Sequence, residues 1–236
     1  SDAPEGFSDE DIAALSRIAQ VASLSVEAET HDRIARTVLD TYVGQRTGQR
    51  ILQGGIRRGF AETIRAVVWI SDLRGFTALT ETTARDNLLA VLDAHFESVV
   101  GAIEDAGGEV LKFLGDGVLA IFEVDEKRPS RDACRAALAA MKAARSGTAS
   151  GLSWSLALDL GEVSYGNIGG ATRLDFTVIG PAVNHAARLE ALAGELGEPT
   201  LISRAFADSA DARLRDLGTH MLRGVETPQQ VFAPEA

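Results

Sequence analysis

The chain has 236 residues, of which 45% are hydrophobic and 24% are charged. This length and composition exclude a wholly disordered chain and fit one large domain, or one domain with a smaller appendage. Lys and Arg total 23 against 34 Asp and Glu, so the formal net charge is −11, which argues against nucleic acid or an anionic membrane as a partner. A polyanionic ligand would have to be held locally.

Three features of the sequence bear on where the protein works. No unbroken apolar run in the first half of the chain is longer than that of 66–70, which is far short of the roughly 20 residues that cross a bilayer, so we expect a soluble protein. The single cysteine, Cys134, excludes an intramolecular disulfide, and no signal segment opens the chain, so we expect a cytoplasmic location. The chain begins with Ser1, which suggests a fragment of a longer protein.

Residues 1–63 are predicted to be a helical signalling or linker segment. Ser8 and Asp11 have capping-box spacing, and apolar residues follow at intervals of three and four, which predicts an amphipathic helix of about two heptads. Glycines then predict turns and a short helix: Gly44, Gly48, Gly54, Gly55 and Gly59. We place the start of a second, larger domain, 64–236, near Ile64.

In this larger domain the pattern alternates between strands and helices. The run 66–70 predicts a central strand buried on both faces, and Thr83 is predicted to open a helix that Gly107 and Gly108 end. Two strands, 110–114 and 118–122, flank a Gly-Asp-Gly turn and predict a hairpin.

The second half of the domain continues this alternation. An alanine-rich helix is expected over 131–145, and the strict alternation over 152–160 predicts a half-buried antiparallel strand. The remaining expected elements are a strand over 165–168, a strand ending at Ile179, a helix over 181–193, and short strands near Leu201 and Val231. The order strand, helix, strand, strand, helix, strand predicts an α+β fold of the ferredoxin-like type (βαββαβ) with a C-terminal extension.

Individual polar residues have both structural and functional interpretations. Asp72 ends the first strand before a glycine, where a carboxylate can bind a metal or simply form a turn. Asp116 lies in the Gly-Asp-Gly turn, which is itself a strong hairpin signal. Lys112 is out of place in an apolar strand unless it faces a cleft, a partner or solvent at a sheet edge.

Asn184 and Arg188 are four residues apart on the helix that starts at Pro181, so they project from one face and could form an anion site. The structural alternative is an ordinary solvated face, with Arg188 paired to Glu190 or Glu195. His185, near the apolar side of this helix, is interpreted as a packed or interface histidine.

Four sequence segments together carry a family resemblance. The segments 70–77, 112–116, 161–169 and 176–188 resemble the signature segments of class III adenylate and guanylate cyclase catalytic domains, in the order in which that family has them. The resemblance extends over about 65–232. Thr177, where the better-known subtype has Asp, makes the chain similar to the threonine-bearing bacterial-type adenylate cyclase subclass.

The resemblance implies a mechanism and assigns residues to it. In such cyclases the 3′-hydroxyl of a nucleoside triphosphate attacks its own α-phosphate and expels pyrophosphate. Asp72, Asp116 and the backbone carbonyl of Leu73 would hold two divalent metal ions, Mg²⁺ or Mn²⁺. Asn184 and Arg188 would form the transition-state pair. The implied phosphate-binding residues are Gly75, Phe76, Thr77 and Arg223.

The choice of base follows from hydrogen-bond chemistry. Lys112 can only donate, so it suits N1 of adenine and opposes N1–H of guanine, while the Thr177 hydroxyl is compatible with N6. We therefore expect ATP as substrate and cyclic AMP as product. A guanylate cyclase and a catalytically weak, nucleotide-binding regulatory homologue are the alternatives.

The resemblance also implies partners. One subunit of such enzymes supplies the metal-binding half of a site and the other supplies the base-reading and transition-state half, so we expect a two-fold homodimer with composite sites. Residues 7–11 and the following helix are weakly similar to the closing helix of GAF-like sensor domains. That similarity predicts an upstream sensor domain and a role in intracellular signal transduction.

Overall fold

The computed structural model describes residues 7–54, 59, 61–148, 152–170 and 172–235. Contacts between Cα atoms divide the chain into two compact units, 1–54 and 55–236. The first strand of the second unit begins at Ala61, and the division into 1–63 and 64–236 stays a prediction. Gly55 lies outside the described residues.

The first unit contains two helices, α1 (Asp9–Val43) and α2 (Gln45–Leu52). Ser8 and Asp11 form the predicted capping box, in which each side chain accepts a hydrogen bond from the other residue's backbone amide. The predicted length of two heptads is wrong, because α1 has 35 residues. Arg36 pairs with Asp32 one turn away at 2.7 Å, and the helix continues until Gly44, whose φ of 81° ends it.

The second unit contains eight strands and five helices among the described residues. In chain order they are β1 (Ala61–Leu73), α3 (Phe76–Thr82), α4 (Arg85–Asp105), β2 (Glu109–Leu114), β3 (Gly117–Val124), α5 (Ser130–Gly147), β4 (Trp154–Gly169), β5 (Leu174–Ile179), α6 (Pro181–Leu196), β6 (Thr200–Ser203), α7 (Arg204–Ser209), β7 (Leu214–His220) and β8 (Gln229–Pro234).

The strands form one mixed sheet in the order β2-β3-β1-β4-β6-β8-β7, with β5 paired to β4 outside this path. The first four strands are antiparallel neighbours, and only the pairing of β4 with β6 is parallel among the described strands. This arrangement confirms the predicted α+β, ferredoxin-like order, and β5 to β8 form the extension.

Helices cover both faces of the sheet. On one face, Trp69 of β1 packs in a cluster with Val99 of α4 and Ala137 of α5. On the other face, Val68 of β1 packs in a second cluster with Ala186 of α6. Because successive residues of a strand point to opposite faces, the buried run 66–70 of β1 is apolar at every position, as its predicted burial on both faces requires.

The prediction of a half-buried strand over 152–160 is wrong. Every residue of β4 from Trp154 to Leu160 is buried. The polar positions of the alternation face α6 rather than solvent: Ser155 donates to Glu190, and Asp159 bonds His185 at 2.9 Å. The separate strand expected over 165–168 is the continuation of β4.

Two elements were not expected from the sequence: α7 and β7. The helix α7 has six residues, too few for a clear helical period in the apolar residues. No helix in the described part of the chain combines the length and the apolar character needed to cross a membrane.

Candidate active site

The two predicted metal-binding carboxylates belong to neighbouring segments of the sheet. Asp72 is the penultimate residue of β1, and Asp116 lies in the turn between β2 and β3, which is hydrogen-bonded next to β1. Burial raises the pKa of Asp72 to about 6, and the negative charges of Asp116 and Glu190 add to this rise. Gly117, the residue after Asp116, lies against Asp72, since a Cβ atom there would be 2.9 Å from Asp72 Oδ1.

These residues fit a divalent cation. The Asp72 carboxylate has two acidic neighbours and is half-buried, and carboxylate and carbonyl oxygens are the ligands that Mg²⁺ and Mn²⁺ prefer. Leu73, whose backbone carbonyl is the third predicted ligand, directly follows Asp72 at the end of β1. Within the described ranges, no three His, Cys, Asp or Glu side chains are arranged so that they could hold a metal ion by themselves. The fit is that of an Mg²⁺-type site, where substrate phosphates and water complete the coordination.

Gly117 leaves the space in which the Asp72 carboxylate lies. A Cβ atom at this position would come within 2.5 Å of the Ser71 carbonyl oxygen and 2.9 Å of Asp72 Oδ1. We expect Gly117→Ala to displace Asp72, to destabilise the fold by about 1–3 kcal/mol, and to weaken Mn²⁺ binding. Thermal unfolding and titration with Mn²⁺ measure both effects.

The control for this substitution is Gly101→Ala on α4, where an added Cβ meets no atom within 4 Å. It should leave stability unchanged or raise it slightly, because alanine favours helix over glycine. If Gly117→Ala binds Mn²⁺ as the wild type does, Gly117 has no role in placing Asp72.

The raised pKa of Asp72 has a consequence for stability in the absence of metal. Its value of about 6 lies above the 3.8 of an unperturbed carboxyl, so the folded state holds a proton that the unfolded state has lost between about pH 4 and 6. Stability from this group is therefore lost as the pH rises through that window. Asp72→Asn should raise the unfolding temperature at pH 7 in a chelator by about 2–4 °C, because it removes a charge whose burial and repulsion, after solvent screening, cost about 1 kcal/mol.

The gain from Asp72→Asn should shrink towards pH 4, where the Asp72 carboxyl is protonated in the folded protein. Calorimetry across this pH range measures it, with Asp93→Asn at an exposed position as control. A gain of equal size at pH 4 and pH 7 would show that the ionised Asp72 carboxylate is not its cause.

The predicted phosphate-binding backbone follows directly after β1. Gly75 has a φ of +70° and precedes α3, whose first residues are Phe76 and Thr77. The first amides of a helix have no partner within the helix, so they can donate to an anion. They follow Asp72 within a few residues, so these two parts of the predicted site are neighbours along the chain.

The two predicted base-binding residues are not bonded to each other. Lys112 of β2 is half-buried and forms an ion pair with Asp175 of β5, a residue that the sequence did not single out. Thr177, two residues along the same strand, is buried, and its hydroxyl oxygen has no hydrogen-bond partner among the described residues. The structure therefore brings Lys112 to β5, with Asp175 as its direct contact.

Asn184 and Arg188 lie together on α6, as predicted. They line a cavity of about 1220 Å³, while residues of the opposite helix face, such as Ala186 and Leu189, are buried in the core. Arg188 Nη1 donates to the carbonyl of Gly224 at 3.2 Å. Arg223 precedes Gly224, the residue that Arg188 contacts, and its side chain is exposed.

The predicted residues therefore form separate groups within one chain. Asn184 and Arg188 line their cavity without Asp72, Asp116 or Lys112 among the described residues.

Sequence reasoning also missed contacts that depend on distant segments. Glu190 accepts from Ser155 of β4 and adds its charge near Asp72, and Asp159 of β4 bonds His185, which is packed as expected.

Comparison with known proteins identifies the family. The model of the adenylate and guanylate cyclase catalytic domain matches 61–205. Adenylate cyclase 1 of Rhizobium meliloti is 28% identical over 229 residues, covering 92% of this chain and 34% of that protein. The chain matches three curated adenylate cyclases and spans at most 36% of the length of any of these three proteins.

Solved structures agree with this match. A bacterial light-regulated adenylyl cyclase superposes with a TM-score of 0.72 at 27% identity, covering 92% of this chain and 64% of that one. The guanylyl cyclase Cya2 superposes with a TM-score of 0.60 at 26% identity, covering 73% of this chain and 92% of that one. The match to the family model, which spans more than half of the chain, is supported by the shared fold: the chain belongs to the class III adenylate and guanylate cyclases.

Proposed function

We propose that the chain is an adenylate cyclase that converts ATP to 3′,5′-cyclic AMP and pyrophosphate. The observation that carries this proposal is the pairing of Asp72 with Asp116 beside the amides that follow Gly75. Carboxylates that repel each other and backbone donors for phosphate are what a metal-bound triphosphate requires. The named adenylate cyclases among the relatives support the same activity.

In the proposed reaction, the 3′-hydroxyl oxygen of ATP forms a bond to the α-phosphorus. The bond from the α-phosphorus to the oxygen that bridges to the β-phosphate breaks, pyrophosphate leaves, and the hydroxyl proton passes to solvent. Two divalent ions held by Asp72, Asp116 and the Leu73 carbonyl would lower the pKa of the attacking hydroxyl and neutralise the triphosphate.

The other side chains bind and orient the substrate. Asn184 would hold the ribose, and Arg188 would donate to the oxygens of the α-phosphate, where negative charge grows in the transition state. Gly75, Phe76 and Thr77 would hold phosphate oxygens through their amides, together with Arg223. Lys112 would donate to N1 of adenine, with Thr177 near N6.

A homodimer is the second part of the proposal. It is supported by the separation, within one chain, of the cavity around Arg188 from the carboxylates Asp72 and Asp116. In a two-fold dimer each chain can contribute its metal-binding half to one site and its Arg188 half to the other. Two such composite sites would form per dimer.

The test of the activity is an assay of the purified chain with ATP or GTP in Mg²⁺ or Mn²⁺, with identification of the products. Cyclic AMP and pyrophosphate from ATP are the expected result. Cyclic GMP formed in preference would favour a guanylate cyclase, the alternative supported by the likeness to Cya2. Nucleotide binding without any cyclic product would indicate a regulatory homologue.

We further propose that residues 1–54 receive a signal from an upstream sensor. The likeness to a light-regulated cyclase over 92% of this chain supports this. None of the described residues of α1 is buried, and apolar side chains such as Ile18, Val21 and Leu24 are more than half exposed, so pairing of this helix in the dimer would cover exposed apolar side chains. Deleting 1–54 should weaken dimerisation and change turnover, as measured by sedimentation and the cyclase assay. Unchanged values for both would contradict this role.

A further inference from the structure

An ion pair joins the strand that carries Lys112 to the strand that carries Thr177. Lys112 Nζ of β2 donates to Asp175 Oδ2 of β5, although the two residues are 63 positions apart in the sequence. Asp175 lies opposite Ile168 in the register of β4 and β5. Asp175 is thus the only acid paired with Lys112 among the described residues, and it fixes the direction of the ammonium group.

The carboxylate of Asp175 is exposed to solvent, whereas the hydroxyl of Thr177 is buried. The Asp175 side chain is 58% exposed. The Thr177 hydroxyl oxygen, on the same face of β5 because the two residues are two apart, has almost no accessible surface and no partner in the described structure. A base that reaches Lys112 therefore meets the acceptor of Asp175 before it meets Thr177.

We infer that Asp175 is a base-selecting residue, which positions Lys112 and accepts a hydrogen bond from the exocyclic amino group of adenine. This inference rests on the proposed function, because it takes Lys112 to donate to N1. An ionised carboxylate only accepts and an ammonium only donates. Side by side, they match the acceptor N1 and the donor N6 of adenine.

The same pair disfavours guanine. Guanine has a donor at N1 and an acceptor at O6, so in the same orientation Lys112 would face N1–H and Asp175 would face O6. The two donors, Lys112 and N1–H, would then face each other, and so would the two acceptors, Asp175 and O6. Neither pair could form a hydrogen bond, which is an effective way to reject a substrate.

The test compares Asp175→Asn and Asp175→Ala with the wild type by kcat/KM for ATP and for GTP. Asp175→Asn should lower kcat/KM for ATP about tenfold, through loss of a charge-assisted hydrogen bond. It should not lower kcat/KM for GTP, because an amide can donate to O6. Asp175→Ala should lower the value for ATP by a similar factor without a gain for GTP.

The control is Asp211→Asn, which removes an exposed acid from another ion pair, with Arg131. It should leave the preference for ATP over GTP unchanged. A change in the ratio of the two kcat/KM values by about tenfold in Asp175→Asn supports base selection, because a general structural defect lowers both values together. An unchanged ratio overturns the inference.

Failure of this inference is distinguishable from failure of the proposed function. If the wild type makes cyclic AMP and the ratio is unchanged in Asp175→Asn, the function stands and the role of Asp175 is wrong. If the wild type makes no cyclic nucleotide, the same comparison is made by equilibrium binding of ATP and GTP. A selective loss of ATP binding in Asp175→Asn then supports the role of Asp175, and an equal effect on both nucleotides overturns it.

Discussion

Mixing an Asp72→Ala chain with an Arg188→Ala chain should restore cyclase activity that neither chain has alone. Each heterodimer contains one site in which the metal-binding half and the Arg188 half are both intact, while its other site carries both defects. With free exchange of subunits, half of the dimers are heterodimers with one of two sites intact, so about a quarter of wild-type activity is expected. The cyclase assay on mixtures of varied ratio measures it.

The matched control for this experiment is a mixture of Asp72→Ala with Asp116→Ala. Both substitutions affect the same half, because Asp116 raises the pKa of Asp72 within one chain. Every site in such a mixture carries at least one of the two defects, so activity should stay at the level of the parents. If the Asp72→Ala and Arg188→Ala mixture also stays inactive although the chains exchange, the shared-site model is wrong.

The sequence predicted the order of the core elements because their signals are local. The apolar run of β1, the Gly-Asp-Gly turn between β2 and β3 and the alanine-rich α5 each show their type within a few residues. The environment of β4 could not be predicted in this way. The alternation of apolar and polar residues in β4 is typical of a strand with one solvent-exposed face. In the structure, the packing of α6 buries Ser155 and Asp159 on that face.

The same distinction holds for the candidate site. Asp72 and Asp116 were found because each stands at a strand end or turn in a recognisable string. Glu190 and Asp175 were not found, since their partners lie in other segments: Ser155 and Asp72 for Glu190, and Lys112 for Asp175. No local pattern marks an acid whose role depends on a contact that only the tertiary fold makes.

The net charge of −11 is compatible with an anionic substrate once these positions are known. Asp72 and Asp116 belong to the acidic excess, yet carboxylates in such a pair attract divalent cations, which in turn attract a triphosphate. Lys112, Arg188 and Arg223 can then act over short distances. An acidic surface excludes polyanions that depend on a broad field, and it does not exclude a metal-bound nucleotide.

Arg188→Ala should lower kcat by about 10²–10³ with a much smaller change in KM, because the guanidinium is proposed to act on charge that appears in the transition state. Its position depends on the 3.2 Å hydrogen bond from Nη1 to the Gly224 carbonyl. Arg188→Lys keeps the charge but lacks the planar, multiple donors of arginine, so it should recover only part of the lost rate. Steady-state kinetics with ATP and Mn²⁺ measures these values.

The control for Arg188 is Arg204→Ala, which removes a positive charge from the same cavity. Arg204 Nε already pairs with Asp208 at 2.7 Å and its Nη1 donates to Gln230, so two of its three nitrogens are engaged elsewhere, and kcat should stay within about twofold of the wild type. Equal losses in the two variants would mean that the general positive potential of the cavity matters. A large loss in Arg188→Ala alone would instead tie the rate to one donor, fixed by the backbone at Gly224, that meets the α-phosphate as its charge develops.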